Sequence, residues 1–190
     1  MGAKGDNARA RIISCAHDLF SQKGYCATTM QDISEASGFS RGGLYRHFAS
    51  TEEIFLELIK SEQERAFAAL ENALHENIKP NHILRGFLLS RMQAISQPTS
   101  TFDIAVSEFA ANSAKGKQAL IKRAEDSVEI LSKLIVSGNE MGVFTCDSPT
   151  ATASHILWVI EGMSRHARLI PITPSQIDEQ IAQIELLLKK

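Results

Sequence analysis

Between Thr29 and Phe48 two short stretches of helical periodicity are separated by Ser37-Gly38. A chain punctuated this way folds locally as a pair of helices meeting at a tight turn. Thr28 or Thr29 caps the first helix, which carries Met30, Ile33 and Ala36 inward, and Ser40 caps the second, which turns Leu44 and Phe48 inward. Gly38 supplies the left-handed backbone that such a turn requires. Gly42 and Gly43 fall in the first turn of the second helix, where each costs roughly 1 kcal/mol against alanine, so a packed neighbour must hold that helix together.

The rest of the chain is also written in helical periods. Upstream, Ile12, Ile13, Ala16, Leu19 and Phe20 share one stripe, with Asp6 or Asn7 as cap and Gly24 as stop. Downstream, Ser50-x-x-Glu53 is a capping box for a long helix carrying Ile54, Phe55, Leu58, Ile59, Phe67, Leu70 and Leu74. Pro80 opens the next helix ahead of Leu84, Phe87, Leu88 and Met92, and Pro98 closes it. Further helical stretches cover 101–113, 117–138, 149–169 and 174–188. No alternating run is long enough for a strand, so the expected fold is all-α with about nine helices, divided into residues 1–50 and 51–190.

Charge narrows the partners. The chain is 22% charged with a net charge of -2, which excludes a uniformly basic nucleic-acid coat. Through residue 50, however, Lys4, Arg9, Arg11, Lys23, Arg41 and Arg46 outnumber Asp6, Asp18, Asp32 and Glu35, so the positive end is the one holding the paired helices. Cys15, Cys26 and Cys146 have neither the number nor the spacing of a disulfide framework or zinc site. With no apolar leader, no myristoylation serine or threonine and no membrane-length apolar run, a soluble cytoplasmic protein is expected.

Two short helices with a glycine turn, backed by an amphipathic helix, form the layout of a helix-turn-helix. The outward residues of its last helix give that layout its chemistry. Arg41, Tyr45, Arg46 and His47 are hydrogen-bond donors without a carboxylate among them, whereas a solvated helix face ordinarily mixes both signs. Arg41, next to the Ser40 cap, suits the O6/N7 edge of guanine in the major groove. Gly42 and Gly43 remove side chains where the helix must approach the groove floor. Tyr45 and His47 suit phosphate oxygens, and Thr29 adds a hydroxyl and a helix N-terminus for another.

Catalytic constellations are missing. The glycines of residues 38–43 lack a G-K-[ST] ending and a preceding strand; H-E-x-x-H and G-x-S-x-G do not occur; and the six histidines form no metal-ligand spacing. No cofactor, metal or catalytic residue is therefore expected, and an all-helical enzyme is the weaker alternative.

The contiguous segment TMQDISEASGFSRGGLYRHF, Thr29 to Phe48, resembles the signature of the TetR family of repressors. The resemblance implies that Gln31 and Arg41 read bases, that Gly42 and Gly43 lie against the groove, and that Tyr45 and His47 contact phosphates. Members usually carry lysine where this chain has Thr51, which removes one phosphate contact unless Lys4, Arg9 and Arg11 compensate. It further implies a DNA-binding domain over 1–50 and an effector-binding, dimerising domain over 51–190. The function implied is a repressor that binds a palindromic operator as a homodimer and is released by a small effector, which the apolar preponderance of the second half marks as hydrophobic. The alternative within DNA binding is an architectural dimer with no effector.

For the dimer, Ile177, Ile181, Ile184 and Leu188 repeat at near-heptad spacing, although the same stripe would also dock the last helix on its own subunit. For the effector pocket the candidates are polar groups set in apolar helices, namely Arg91, Glu108, Asn112, His155 and Glu161. Phe87, Met92, Phe102, Phe109 and Trp158 are their apolar neighbours in sequence, each of which is otherwise a core residue.

Overall fold

A computed structural model describes residues 3–76, 78–95 and 102–189 of the chain, with side chains from residue 7 onward. Among the described residues there are nine helices and no strand: α1 (Ala3–Lys23), α2 (Met30–Ser37), α3 (Arg41–Tyr45), α4 (Thr51–His75), α5 (Pro80–Ile95), α6 (Phe102–Asn112), α7 (Ala114–Glu140), α8 (Pro149–Ala167) and α9 (Pro174–Leu187). The all-α expectation holds. Pro98 and Thr101, read as helix boundaries, lie outside the described residues.

Local rules explain most ends, and three expectations need correction. α1 begins at Ala3, so Asp6 and Asn7 sit inside it rather than capping it. Ala36 is exposed, and the inward positions of α2 belong to Ile33, Ser34 and Ser37. α3 ends at Tyr45, so Phe48, though buried, packs from the turn beyond the helix. The capping box of α4 is present in a shifted form. The Glu53 N–H donates to Ser50 Oγ at 3.2 Å, while the Glu53 carboxylate accepts from the N–H of Ala49 at 2.7 Å.

The chain packs into two compact units, Met1–Arg65 with Thr99–Lys122, and Ala66–Pro98 with Arg123–Lys190. Neither ends at residue 50, because the first core needs apolar faces from further along the chain. Ile12, Ala16 and Phe20 of α1 meet Ile33, Leu44 and Phe48, and the set is completed by Ile54, Phe55 and Leu58 of α4 with Phe102, Ala105 and Phe109 of α6. An aromatic cluster fills its centre: Phe55 lies 4.7 Å from Phe20 and 4.5 Å from Phe109, and Tyr25 stands edge-on to Phe109 at 4.8 Å.

In the second unit α5 packs against α8 and α9. Leu84, Leu88 and Met92 of α5 join Leu131, Leu134 and Ile135 of α7, Ile156 and Ile160 of α8, and the inner stripe of α9. That inner stripe is Ile177, Ile181, Ile184 and Leu188, exposed by only 4, 0, 2 and 0%. The stripe expected as a dimer seam is thus the face that docks α9 on the rest of its own chain. The Arg85 guanidinium bonds the Glu185 carboxylate at 2.7 Å and ties α5 to α9 from outside the core. Between α7 and α8, Asn139 holds the backbone of Cys146 twice, donating to its carbonyl at 2.8 Å and accepting from its N–H at 3.0 Å.

Candidate nucleic-acid interface

The α2–α3 pair is built from short-range bonds. Thr29 caps α2, its Oγ1 accepting from the N–H of Asp32. The Asp32 carboxylate in turn accepts from the Thr29 N–H and hydroxyl, each at 2.7 Å, and from Lys23 Nζ at 2.8 Å. Lys23 first, and then Thr29, hold the Asp32 carboxyl well below the usual range, at about 2. The Thr29 hydroxyl hydrogen is therefore directed at Asp32, and the helix donors left for a phosphate are the N–H groups of Met30 and Gln31, which lack intrahelical acceptors. Gly38 takes the left-handed conformation at φ 73° and returns its N–H to Ser34, while Ser34 Oγ donates to the carbonyl of Phe39 at 2.6 Å. Ser40 Oγ then accepts from the Gly43 N–H at 3.1 Å and opens α3.

Two arginines of α1 fasten this pair from behind. Arg9 Nη1 donates to the carbonyl of His47 at 2.7 Å, and its guanidinium stands 4.1 Å from the centre of the Phe48 ring. Arg11 Nη2 donates to the carbonyl of Ser37 at 3.3 Å and lies 5.5 Å from the Phe39 ring. Both were open to compensate for Thr51 as phosphate contacts from an N-terminal arm; they are engaged in holding α3 and the turn to α1. The side chain of Lys4 lies outside the described residues.

The outer surface carries the donor set. Gln31, Arg41, Tyr45 and Arg46 are exposed, Tyr45 by 55%. Gly42 faces open space, with nothing beyond its chain neighbours and its own helix backbone within 4 Å of where a Cβ would stand, so its missing side chain leaves room for a close approach. Gly43 differs. It is buried, and a Cβ there would come within 3.2 Å of Ser40 Oγ, so it serves the cap rather than the outer face. His47 is half-buried with its ring against Phe39. Thr51 is half-buried and hydrogen-bonded to Tyr25, whose phenol burial pushes up in pKa against that bond.

One member of the surface escaped sequence reasoning. Arg41 Nη2 donates to Gln31 Oε1, and Gln31 Nε2 donates to Glu35 Oε1 at 3.0 Å, forming a chain across α2 and α3. The only signal for it was the four-residue spacing of Gln31 and Glu35 on one helix.

The expected effector residues are divided between the two units. Phe102 and Phe109 belong to the first unit's core, and Glu108 there accepts from the N–H of Cys26 at 2.9 Å. Asn112 donates to the carbonyl of Glu108 at 2.8 Å. Of those in the second unit, Met92 is in the core and Phe87 packs half-buried against it, while Arg91, His155, Glu161 and Trp158 are exposed, Trp158 by 70%. A separate open groove of about 560 Å³ lies along α7, lined by Glu125, Val128, Val136 and Glu140 among others and reached by Thr150 of α8; none of the ten expected residues lines it. Among the described residues no cluster of His, Cys, Asp or Glu is disposed to hold a metal, and no helix is long and apolar enough to cross a membrane.

Residues 12–58 match the sequence model of a family described as bacterial regulatory proteins, tetR family. The HTH-type transcriptional regulator YfiR of Bacillus subtilis (strain 168) is 31% identical over 167 residues, covering 85% of this chain and 80% of the relative. The HTH-type transcriptional repressor KstR2 of Mycobacterium tuberculosis is 31% identical over 90 residues, or 47% of this chain and 45% of its own length. In fold, the chain resembles the crystal structure of E. coli NemR in its reduced form, with a TM-score of 0.82 at 16% identity over 96% of this chain and 98% of that one.

Proposed function

The chain belongs to the tetR family of bacterial regulatory proteins and is a transcriptional regulator rather than an enzyme, and on that premise we propose that it is a repressor of a palindromic operator. The observation that carries this reading is the exposed donor face of α3, where Arg41, Tyr45 and Arg46 stand out beside the bare surface of Gly42. Arg41 and Gln31 read base edges; Tyr45, His47 and the α2 N-terminus position the duplex backbone. The protein acts in the cytoplasm, where its DNA is.

A palindromic site needs recognition helices about 34 Å apart, hence a second copy of the chain. With the inner stripe of α9 buried, the surface left for that copy is the outer face of α8 and α9, where Trp158 and Leu186 are exposed by 70 and 59%. The second unit takes a small, hydrophobic effector whose binding opposes DNA binding, with a coupling of about 1 to 3 kcal/mol.

Selection of duplexes from randomised DNA by the purified full chain tests the reading. The expected product is a palindrome bound by a dimer. Retained binding to it by both Arg41→Ala and Tyr45→Ala in a gel shift sinks the interface as drawn. An effector found by thermal-shift screening that left operator affinity unchanged would overturn the release mechanism.

A further inference from the structure

Glu35 is an acidic residue on a surface built to meet a polyanion, and repulsion alone would make it a poor choice there. Its place in the hydrogen-bond chain gives it a task. Resting on the DNA-binding reading above, we propose that Glu35 is a specificity-positioning residue: through Gln31 it fixes how Arg41 presents its guanidinium, so that α2 and α3 read bases as one unit.

The chemistry of the chain permits only one arrangement. A guanidinium has donors alone and a carboxylate acceptors alone. The Gln31 amide between them must therefore turn its oxygen to Arg41 and its nitrogen to Glu35, as it does. Flipping that amide would set N–H against N–H and oxygen against carboxylate. With Glu35 removed, Gln31 keeps Arg41 but loses the acceptor that anchors its nitrogen, so the Gln31 side chain and the Arg41 guanidinium bonded to it are held from one end only. Arg41 is the first residue of α3 and Gln31 the second of α2, so the chain also sets one helix's reader against the other's. Gln31 keeps one N–H and one oxygen lone pair, the pair of groups that adenine N7 and N6 accept and donate. Arg41 keeps the rest of its donors for guanine. Holding both side chains before DNA arrives reduces the rotamer freedom lost on binding.

The test uses the full chain and the sequence it selects from randomised duplexes, assayed as a panel with each base pair substituted in turn. Glu35→Ala is expected to lower the preference at the base pairs that Arg41→Ala affects by about 3- to 10-fold, the range set by ordering a single side chain. Affinity for a non-specific duplex should stay within about twofold, since the phosphate contacts are untouched. Glu35→Gln, whose amide oxygen still accepts from Gln31, should keep the wild-type profile, and adding Glu35→Ala to Arg41→Ala should change nothing further at the base pairs Arg41 reads. Full wild-type preference in Glu35→Ala, loss at base pairs that neither Arg41→Ala nor Gln31→Ala affects, or failure of Glu35→Gln to preserve the profile overturns the positioning role. A wild-type protein that selects no sequence defeats the regulator reading itself, which is a different result from a selected site that Glu35→Ala still reads in full.

Discussion

Helices α3 and α9 are both amphipathic by sequence, and they use their two faces in opposite ways. In α3 the apolar residue Leu44 is buried while Arg41 and Tyr45 stand exposed for a partner. In α9 the regular stripe that resembled a partner surface is the buried one, and the outer face holds mainly polar residues with Leu186 among them. Periodicity identifies which residues will be covered; it does not say whether the cover is the same chain or another copy.

That contrast can be broken from either side. The largest effect should come from α9: Ile181→Ala is expected to destabilise the fold by about 2 to 5 kcal/mol in chemical denaturation, because a fully buried side chain leaves a cavity. If Ile181→Ala instead left stability unchanged and split a dimer, the stripe would be an intersubunit seam after all. In α3, Arg41→Ala should leave the melting profile intact and cost about 1 to 3 kcal/mol of discrimination at one base pair, read by competition gel shift. Next in size, Arg9→Ala should destabilise the first unit by about 1 to 2 kcal/mol, through the lost bond to the His47 carbonyl and the ring contact with Phe48. If Arg9→Ala changed only the salt dependence of DNA binding, the staple role would be wrong.

Two smaller effects sharpen the same division. The Asp32 carboxyl titrates lower in the folded chain, at about 2, than its ordinary 3.8, so its contribution is present above pH 4 and fades as pH falls towards 2. Asp32→Asn should therefore lower the melting temperature near pH 5 and converge with the wild type near pH 2; a difference independent of pH would remove charge as the cause. Thr51→Lys should steepen the salt dependence of DNA affinity by about one unit of slope, restoring the phosphate contact the family usually has. An unchanged slope would place residue 51 away from the backbone of the duplex.

The helices were legible because each carries its own evidence. Ser40, Gly38, Pro80, Pro149 and Pro174 mark ends through backbone chemistry that acts over a few residues. The donor face of α3 was legible for the same reason, being set by the register of a single short helix. What remained hidden depended on residues far apart in the chain. Phe102 and Phe109 looked like pocket residues because nothing near them in sequence reveals that Phe55 and Tyr25 lie against them. Arg9 and Arg11 looked like spare cations because their acceptors, the carbonyls of His47 and Ser37, are backbone atoms 38 and 26 residues away.

The sequence by itself determined the all-helical fold, the helix-turn-helix between Thr29 and Phe48 and the kinship that goes with it, since capping, turn geometry and the 3.6-residue period are local properties. Tertiary structure alone decided that α6 completes the first core, that the inner face of α9 is covered by its own chain, and that the Gln31–Glu35 pair meets Arg41 of the next helix. Those outcomes depend on which apolar faces and which donors and acceptors are brought together when distant segments pack, and no short window of residues contains that information.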